Sequence, residues 1–298
     1  MKFVINEYNL SNPKIKHKID IICISDIHSN VKKLKMIKNF ININKIKILL
    51  IPGDLVDTVY DKRNDEILKV MEDISKNTTI YISKGNHDMI KNRKQKDGNI
   101  TLENKFYKKL SSLKNVKVFN HEVDSVSLTD NISINSFTLP FEWYLYKEKI
   151  SNFEKYYNNN LKTDKNKFNI LLTHTPVPLI KNNMIRQDLD LLRDMNLILC
   201  GHMHAGLKPI CFRNNTHRGF IGPCLAIFPK TAYGFYNNNT ASLLISGGVT
   251  KISHLSLGKK VTQFFDNMFA SEIELIHLNP YKKHSFELSK RIIKKERL

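Results

Sequence analysis

The 298-residue chain lacks the features that mark several large classes of protein. No apolar run approaches the ~20 residues of a membrane-spanning helix, so an integral membrane protein is not expected. No apolar segment follows the first charges, which argues against a secretory signal peptide. Internal repeats, low-complexity tracts and linker-like boundaries are also absent. We therefore expect one domain over residues 1–278, followed by a basic extension over residues 279–298.

Cysteine is scarce, and its spacing does not suit a disulfide framework. The four cysteines are Cys23, Cys200, Cys211 and Cys224, and they form no C-x-x-C pair. Cys23 and Cys200 lie inside apolar runs typical of strands. This pattern predicts reduced, buried thiols and a cytoplasmic protein. A structural zinc site built from Cys211 and Cys224 stays open as an alternative.

Acidic residues are few, since 28 Asp and Glu face 47 Lys and Arg, for a formal charge of +19. Such a charge suits nucleic acid, an anionic membrane surface or an acidic substrate. The lysines are scattered rather than gathered on one element, however. A lysine-rich surface without a specific partner therefore explains the charge as well.

Apolar runs and helical periodicity alternate along the first hundred residues. Strands are predicted at residues 19–25, 47–51 and 79–83, with amphipathic helices after Val31 and over residues 61–76. This β-α-β-α-β order predicts a parallel sheet with right-handed crossovers. The other predicted elements are an edge strand at residues 2–8, a helix at 102–113, locally paired strands between 116 and 137, strands at 168–172 and 197–200, and strands at 242–246 and 273–278 that complete a second sheet.

Polar motifs directly follow five of these apolar runs. They are Asp26-x-His28, Gly53-Asp54-x-x-Asp57, Gly85-Asn86-His87-Asp88, His174 and Gly201-His202-x-His204. Each motif alone is ordinary loop material. Because sites in open α/β sheets lie outside the carboxyl ends of strands, all five are expected to meet. Two aspartates, four histidines and an asparagine are donors that suit Mn, Fe or Zn.

As a set, in this order, the motifs resemble those of the calcineurin-like metallophosphoesterases over residues 19–204. The resemblance implies an α/β fold, a two-sheet sandwich flanked by helices, with the active site at the C-terminal ends of the strands. It also implies two divalent metal ions bridged by Asp54. One ion would be held by Asp26, His28, Asp54 and His204, and the other by Asp54, Asn86, His174 and His202. Downstream motifs such as Phe228-Pro229-Lys230 are similar to a bacterial phosphodiesterase-like subgroup.

The expected chemistry is attack on phosphorus by a hydroxide that the two ions share. Mn²⁺ is the expected metal, with Fe or Zn as alternatives. His87 sits one residue beyond a ligand, so we expect it to protonate the leaving oxygen or to stabilise the developing charge, with Asp57 holding its imidazole in the cationic form. A helix N-cap or turn is the alternative role for Asp57.

The expected substrates are phosphodiester or pyrophosphate bonds of small molecules or lipid headgroups. Protein phosphatases of this superfamily carry Arg directly after the second Asp of the Gly-Asp-x-x-Asp motif, but here that residue is Thr58. This difference argues against a Ser/Thr protein phosphatase and favours a phosphodiesterase. Substrate contacts are expected from Arg213, His217 and Arg218. The alternatives are a nuclease of the same chemistry and a catalytically silent scaffold of this fold.

Other expectations concern partners and two segments. Peripheral contact with an anionic membrane is an open alternative, nucleic acid is not favoured, and no obligate protein partner is evident. The aromatic segment at residues 139–167 is either a lid or ordinary packing. The basic tail is expected to be an end helix, either solvated or lying at a membrane interface.

Overall fold

The computed structural model describes residues 2–89, 104–139, 141, 144, 161, 163–176, 194–209, 212, 217–223, 227–237, 240–251 and 268–295. Thirteen strands and three α-helices lie within them. The strands are β1 (Lys2–Asn12), β2 (Ile19–Cys23), β3 (Ile48–Ile51), β4 (Thr79–Ile82), β5 (Val116–Val118), β6 (Val123–Thr129), β7 (Ile132–Phe137), β8 (Phe168–Leu172), β9 (Met195–Cys200), β10 (Gly234–Asn237), β11 (Ser242–Ile245), β12 (Ser271–Pro280) and β13 (Ser285–Lys295). The helices are α1 (Val31–Ile43), α2 (Asn64–Ser75) and α3 (Lys105–Ser111).

The strands form two mixed sheets, which confirms the predicted α/β two-sheet sandwich. The first has seven strands in the order β13-β1-β12-β2-β3-β4-β5, and the second has six in the order β10-β11-β9-β8-β7-β6. Strands β2 to β5 are parallel, as the β-α-β-α-β pattern predicts. In the second sheet β7, β8, β9 and β11 are parallel, and β6 pairs locally with β7.

Three predictions about the outer strands are wrong. Strand β1 is not at an edge, because it pairs with β12 on one side and β13 on the other. Strand β12 completes the first sheet, where it is antiparallel to β2, and not the second. Residues 285–295 of the expected C-terminal helix are a strand, β13. The division of the chain at residue 278 stays a prediction, although β13 belongs to the same sheet as β1.

Apolar side chains on alternating positions build separate layers. On β2, Ile21 and Cys23 face the core between the two sheets, whereas Ile22 faces the core beneath the helices. On α1, Leu34 and Ile37 are buried at helical spacing, as predicted. Period-2 burial in the strands and 3.6-period burial in the helices therefore fix which face of each element is inside.

Helix α1 departs from its expected pattern at one residue. Lys33 is fully buried, and its Nζ donates to the carbonyl of Val249 at 3.1 Å, far away in the sequence. The start of the helix is capped by Asn30, whose side chain accepts from the Lys33 N–H. The first turn of α1 is thereby tied to the segment that follows β11.

The cysteines that the structure describes fit the sequence prediction. Cys23 and Cys200 are free and buried in β2 and β9. Cys211 and Cys224 lie outside the described residues, so their zinc alternative stays a prediction. In the part of the chain described above, no helix has the length and apolarity needed to cross a bilayer.

Candidate metal centre

The ligand-bearing loops leave the carboxyl ends of strands in both sheets. Asp26, Asp54 and Asn86 follow β2, β3 and β4, which are parallel neighbours in the first sheet. His174 follows β8, and His202 and His204 follow β9, in the second sheet. The Gly201 N–H donates to the His174 carbonyl within the second sheet, and the loops of the two sheets meet where the His202 N–H donates to the Asp26 carboxylate. The five motifs are therefore divided between two sheet edges.

Six of the predicted ligands form two clusters of donor atoms. Within each cluster the ligand atoms all lie within 4.8 Å of one another; the clusters are Asp26 with His28 and His204, and Asp54 with His174 and His202. Oδ2 of Asp54 lies 3.1 Å from Nε2 of His174 and 3.7 Å from Nε2 of His28. Asp54 thus stands between the clusters, as expected of a bridging ligand.

The donor groups suit divalent cations. The side-chain oxygen of Asn86 is buried and has no hydrogen-bond partner among the described residues, so a cation would satisfy it. Nδ1 of His174 lies 3.1 Å from the Pro52 carbonyl, and Nδ1 of His204 lies 2.9 Å from the Thr250 carbonyl. A carbonyl only accepts, so each Nδ1 carries a hydrogen, and Nε2 is the ring nitrogen that would bind a metal.

The backbone at the centre is unusual. Five of the seven predicted ligands have φ between +46° and +67°, in the left-handed region that non-glycine residues seldom adopt. They are Asp26, His28, Asp54, His202 and His204. Such conformations cost about 1–3 kcal/mol each and persist where surrounding contacts hold them. Because five such residues lie together, the surrounding contacts favour these side-chain positions over an unstrained backbone.

Two motif glycines are required by close packing against the ligands. A Cβ on Gly85 would lie 2.3 Å from Oδ1 of Asp54, and a Cβ on Gly201 would lie 2.6 Å from Oδ2 of Asp26. No larger side chain fits at either position without moving a carboxylate. This contact explains why glycine directly precedes Asn86 and His202 in the sequence.

Burial differs between the floor and the rim of the centre. Asp26, His28, Asp54 and His174 are fully buried and form the floor. Asn86, His87, His202 and His204 are half-buried and form the rim. A molecule that reaches the floor from solvent therefore passes the rim, which consists of one amide and three imidazoles.

The electrostatics of the floor keep the carboxylate of Asp54 charged. Burial opposes ionisation of Asp54, but His174, His87 and His28 outweigh it and hold the pKa of that carboxyl well below its usual value. Burial disfavours the imidazolium of His174, yet the charge of Asp54 and its hydrogen bond raise the pKa of that group to about 9. Burial and the nearby His174 hold the pKa of His202 well below its usual value. The charged carboxylate of Asp54 therefore favours a positive charge beside it at the floor.

His87 and Asp57 lie together, but in a different way from the prediction. Nδ1 of His87 lies 2.9 Å from the backbone carbonyl of Asp57 and 3.7 Å from its Oδ1. The same Oδ1 lies closer, at 3.5 Å, to Nδ1 of His28. The main chain of Asp57 therefore orients the His87 ring, while its buried carboxylate lies between the two imidazoles.

Asp88 binds the loop backbone. Its carboxylate accepts from the backbone N–H groups of Asp54, Val56 and Gly85 at 2.7, 3.1 and 2.8 Å. The hydroxyl of Tyr107, on α3, donates to it as well. One buried carboxylate thus joins the loop after β3 to the loop after β4.

The sequence interpretation missed Arg63, which lies just before α2. Its Nη2 is 3.5 Å from Oδ2 of Asp57, although Thr58 occupies the position where protein phosphatases carry Arg. The guanidinium also pairs with Asp61 through Nε at 2.9 Å and Nη2 at 2.6 Å. A fork of two hydrogen bonds fixes its direction, so a positive charge does reach the outer side of Asp57.

The remaining expectations are only partly covered by the structure. Arg213 lies outside the described residues; Nδ1 of His217 lies 2.9 Å from the Tyr233 carbonyl, and Arg218 is exposed. Their role as substrate contacts stays a prediction. Most of residues 139–167 also lie outside the described residues, but the Tyr144 ring lies 5.4 Å from that of His202. At least one member of the aromatic segment packs on the centre.

A family model described as calcineurin-like phosphoesterase matches residues 19–206, which is most of the chain. The chain belongs to the calcineurin-like phosphoesterase family. The matched span includes every predicted ligand, His87 and Asp57. Membership in this family indicates a phosphoester hydrolase that uses divalent metal ions as its cofactor.

Several solved structures are similar to the chain. One is an archaeal phosphodiesterase, with 11% identity, a TM-score of 0.39 and coverage of 78% of this chain and 85% of that one. A dimetal phosphatase from Danio rerio has 9% identity, a TM-score of 0.44 and coverage of 78% and 88%. The NAD nucleotidase of Haemophilus influenzae has 13% identity, a TM-score of 0.41 and coverage of 78% and 45%. A comparison with curated proteins finds no match.

Proposed function

We propose that this calcineurin-like phosphoesterase uses two divalent ions to hydrolyse phosphodiester or pyrophosphate bonds of small molecules or lipid headgroups. The observation that carries the proposal is the position of Asp54 between two clusters of donor atoms, within 4 Å of a histidine from each. Asp26, His28, Asp54 and His204 would hold one ion. Asp54, Asn86, His174 and His202 would hold the second, and Mn²⁺ is the proposed metal for both.

Bound ions would supply Lewis-acid chemistry, activating water and neutralising phosphate charge. The chain's own residues do the rest. Asp26 and Asp54 contribute only two negative charges against two divalent cations, so an anionic phosphate is attracted to the rim. His87 lies on that rim, and the Asp57 carbonyl accepts its Nδ1 hydrogen; in its imidazolium form it would donate the second ring proton, on Nε2, to the leaving oxygen.

A reconstitution assay tests this function directly. Chelator-treated protein should have no activity, and Mn²⁺ should restore it on a panel of monoesters, diesters, nucleoside diphosphate conjugates and phospholipids. We expect turnover of diesters or pyrophosphates to exceed that of phosphoserine peptides. The reason is that Thr58 stands where protein phosphatases carry an arginine, which can bind phosphate through two hydrogen bonds. Protein that binds two equivalents of metal and hydrolyses nothing on the panel would instead be a catalytically silent scaffold.

A nuclease is the second candidate, and the formal charge of +19 favours it. Binding of DNA or RNA that weakens steeply with salt, together with release of nucleotides, would support this alternative. Absence of both would exclude it. The site itself would be the same, because only the attached group differs between a nucleic acid and a small diester.

We propose a cytoplasmic location for the enzyme. The free, buried thiols of Cys23 and Cys200 support it, since such thiols are typical of reducing compartments. Fractionation of cells that produce the untagged protein checks this proposal.

A further inference from the structure

An exposed apolar surface lies beyond the last metal-binding loop. Its members are Phe212, Phe220, Ile221, Ile227 and Phe228, with exposed fractions from 38% to 75%; we call them the apolar tip. The Phe220 ring lies 6.3 Å from that of Phe212 and 6.4 Å from that of Phe228, and Ile221 forms an antiparallel bridge with Ile227. Single exposed apolar residues are common, but a contiguous group of five marks an interaction surface.

The stretch of sequence that contains the apolar tip carries charges of one sign only. No Asp or Glu occurs between Asp194 and Asp266, the stretch that contains the tip. Arg218 and Lys230 flank it and are exposed. The Nζ of Lys208 lies 6.0 Å from the centre of the Phe220 ring. Large apolar side chains among cations, without acids, match the chemistry of an anionic lipid surface.

The apolar tip is tied to the metal centre by backbone contacts. The carbonyl of Gly206 accepts from the N–H groups of Phe220 and Ile221 at 2.7 and 3.0 Å. Gly206 packs so closely on Gly219 that a Cβ on it would lie 2.3 Å from the Gly219 Cα. Since Gly206 is two residues after His204, a surface that holds the tip also holds the metal-binding loop near it.

We propose that the apolar tip inserts into the headgroup region of an anionic phospholipid bilayer, with Arg218 and Lys230 contacting the lipid phosphates. Aromatic and aliphatic side chains enter the interface, and cations beside them gain from the negative surface potential. A protein surface that covered the tip would need matching acids and apolar groups, whereas an anionic bilayer supplies both everywhere. The insertion does not depend on the proposed hydrolysis.

Sedimentation of the full chain with vesicles tests the insertion. We expect binding to vesicles of phosphatidylcholine with phosphatidylglycerol, and at least tenfold weaker binding to phosphatidylcholine alone. The double variant Ile227→Ser/Phe228→Ser should bind the anionic vesicles about tenfold or more weakly, since it loses its apolar contact. Arg218→Gln/Lys230→Gln should also weaken binding about tenfold and reduce its salt dependence.

The matched control is Ile43→Ser, because Ile43 is 79% exposed at the end of α1 and is not part of the apolar tip. It should bind like the wild type. Wild-type protein that ignores anionic vesicles, or serine variants at the tip that bind them unchanged, would overturn the proposal. So would a wild-type dimer that becomes monomeric in Ile227→Ser/Phe228→Ser without any lipid binding, since the tip would then join two copies of the chain.

Activity measurements separate this inference from the proposed function. If both hold, Ile227→Ser/Phe228→Ser keeps its turnover of a soluble diester and loses turnover of a phosphodiester presented in vesicles. Vesicle binding without any hydrolysis would leave the insertion standing and reject the enzymatic proposal. Hydrolysis of soluble diesters without vesicle binding would do the reverse.

Discussion

The hydroxyl of Tyr107 donates a 2.5 Å hydrogen bond to Oδ1 of Asp88, and both side chains are buried. Burial and the neighbouring charge of Asp54 raise the pKa of Asp88 to about 6, although its hydrogen bonds favour the ionised form. The ammonium of Lys84 lies 4.8 Å above the Tyr107 ring. Helix α3 thus supports the carboxylate that holds the Asp54 and Gly85 loops together.

The first prediction concerns Asp88→Asn. An amide has one acceptor oxygen for groups that the carboxylate now satisfies, so buried N–H groups lose their partners. We expect the free energy of unfolding to fall by about 3 kcal/mol and metal affinity to fall about 10–100-fold. Urea unfolding and metal content by mass spectrometry measure the two effects. Tyr107→Phe removes one donor only and should cost about 1 kcal/mol; equal losses in both variants would contradict the network.

The second prediction separates proton donation from metal binding. His87→Gln should lower kcat by about 10²–10⁴-fold on a diester with a poor leaving group, because the leaving oxygen loses its acid. Its metal content should stay near that of the wild type, since His87 belongs to neither of the two proposed ligand sets. Asp54→Asn should lose both activity and metal. The acid role is wrong if His87→Gln keeps full activity on the poor-leaving-group ester.

The local parts of the fold were predictable from the sequence. Strands β2, β3 and β4 are short apolar runs, each followed by a polar motif, and α1 and α2 have helical periodicity. The local hydrophobic pattern and the polar residues at the strand ends are therefore enough to predict that these side chains lie close together.

The parts that the sequence did not predict depend on distant contacts. Strand β13 pairs with β1 across almost the whole chain, for example Glu7 with Lys290. Phe286, Leu288 and Ile292 stand at alternating positions, which is a period-2 pattern typical of a strand. The lysines around them suggested an exposed helix instead. The buried side chain of Lys33 was not expected, because lysine is nearly always exposed unless it has a partner.

The third prediction concerns a buried ion pair behind the centre. Nζ of Lys251 lies 2.7 Å from Oε1 of Glu272, and both side chains are almost fully buried. Lys251 follows Thr250, whose N–H donates to the Asp26 carbonyl and whose carbonyl accepts from His204. The pair therefore anchors a segment that holds two predicted ligands.

Glu272→Gln should destabilise the fold by about 3 kcal/mol, because Lys251 keeps a buried charge without the carboxylate that lies 2.7 Å from it. The double variant Lys251→Met/Glu272→Gln should cost clearly less than the sum of the single changes. The exposed pair Lys35–Glu66 is the control, and Glu66→Gln should cost under about 1 kcal/mol. Thermal unfolding of the variants decides, and equal effects of the two Glu→Gln changes would contradict an anchoring role.

The last prediction is a pH dependence that comes from Glu274 on β12. Burial, and then the charge of Glu272, raise the pKa of Glu274 from its ordinary value to about 7. The folded state therefore binds more protons than the unfolded state between about pH 4.5 and 7, so this group lowers stability as pH rises through that window.

Glu274→Gln cannot ionise, and its stability relative to wild type should improve by on the order of 2 kcal/mol between pH 5 and 8. Glu287→Gln, at an exposed site on β13, should follow the wild type throughout. Denaturation curves at each pH measure this difference, and parallel curves for Glu274→Gln and wild type would show that Glu274 ionises in the fold as it does in water.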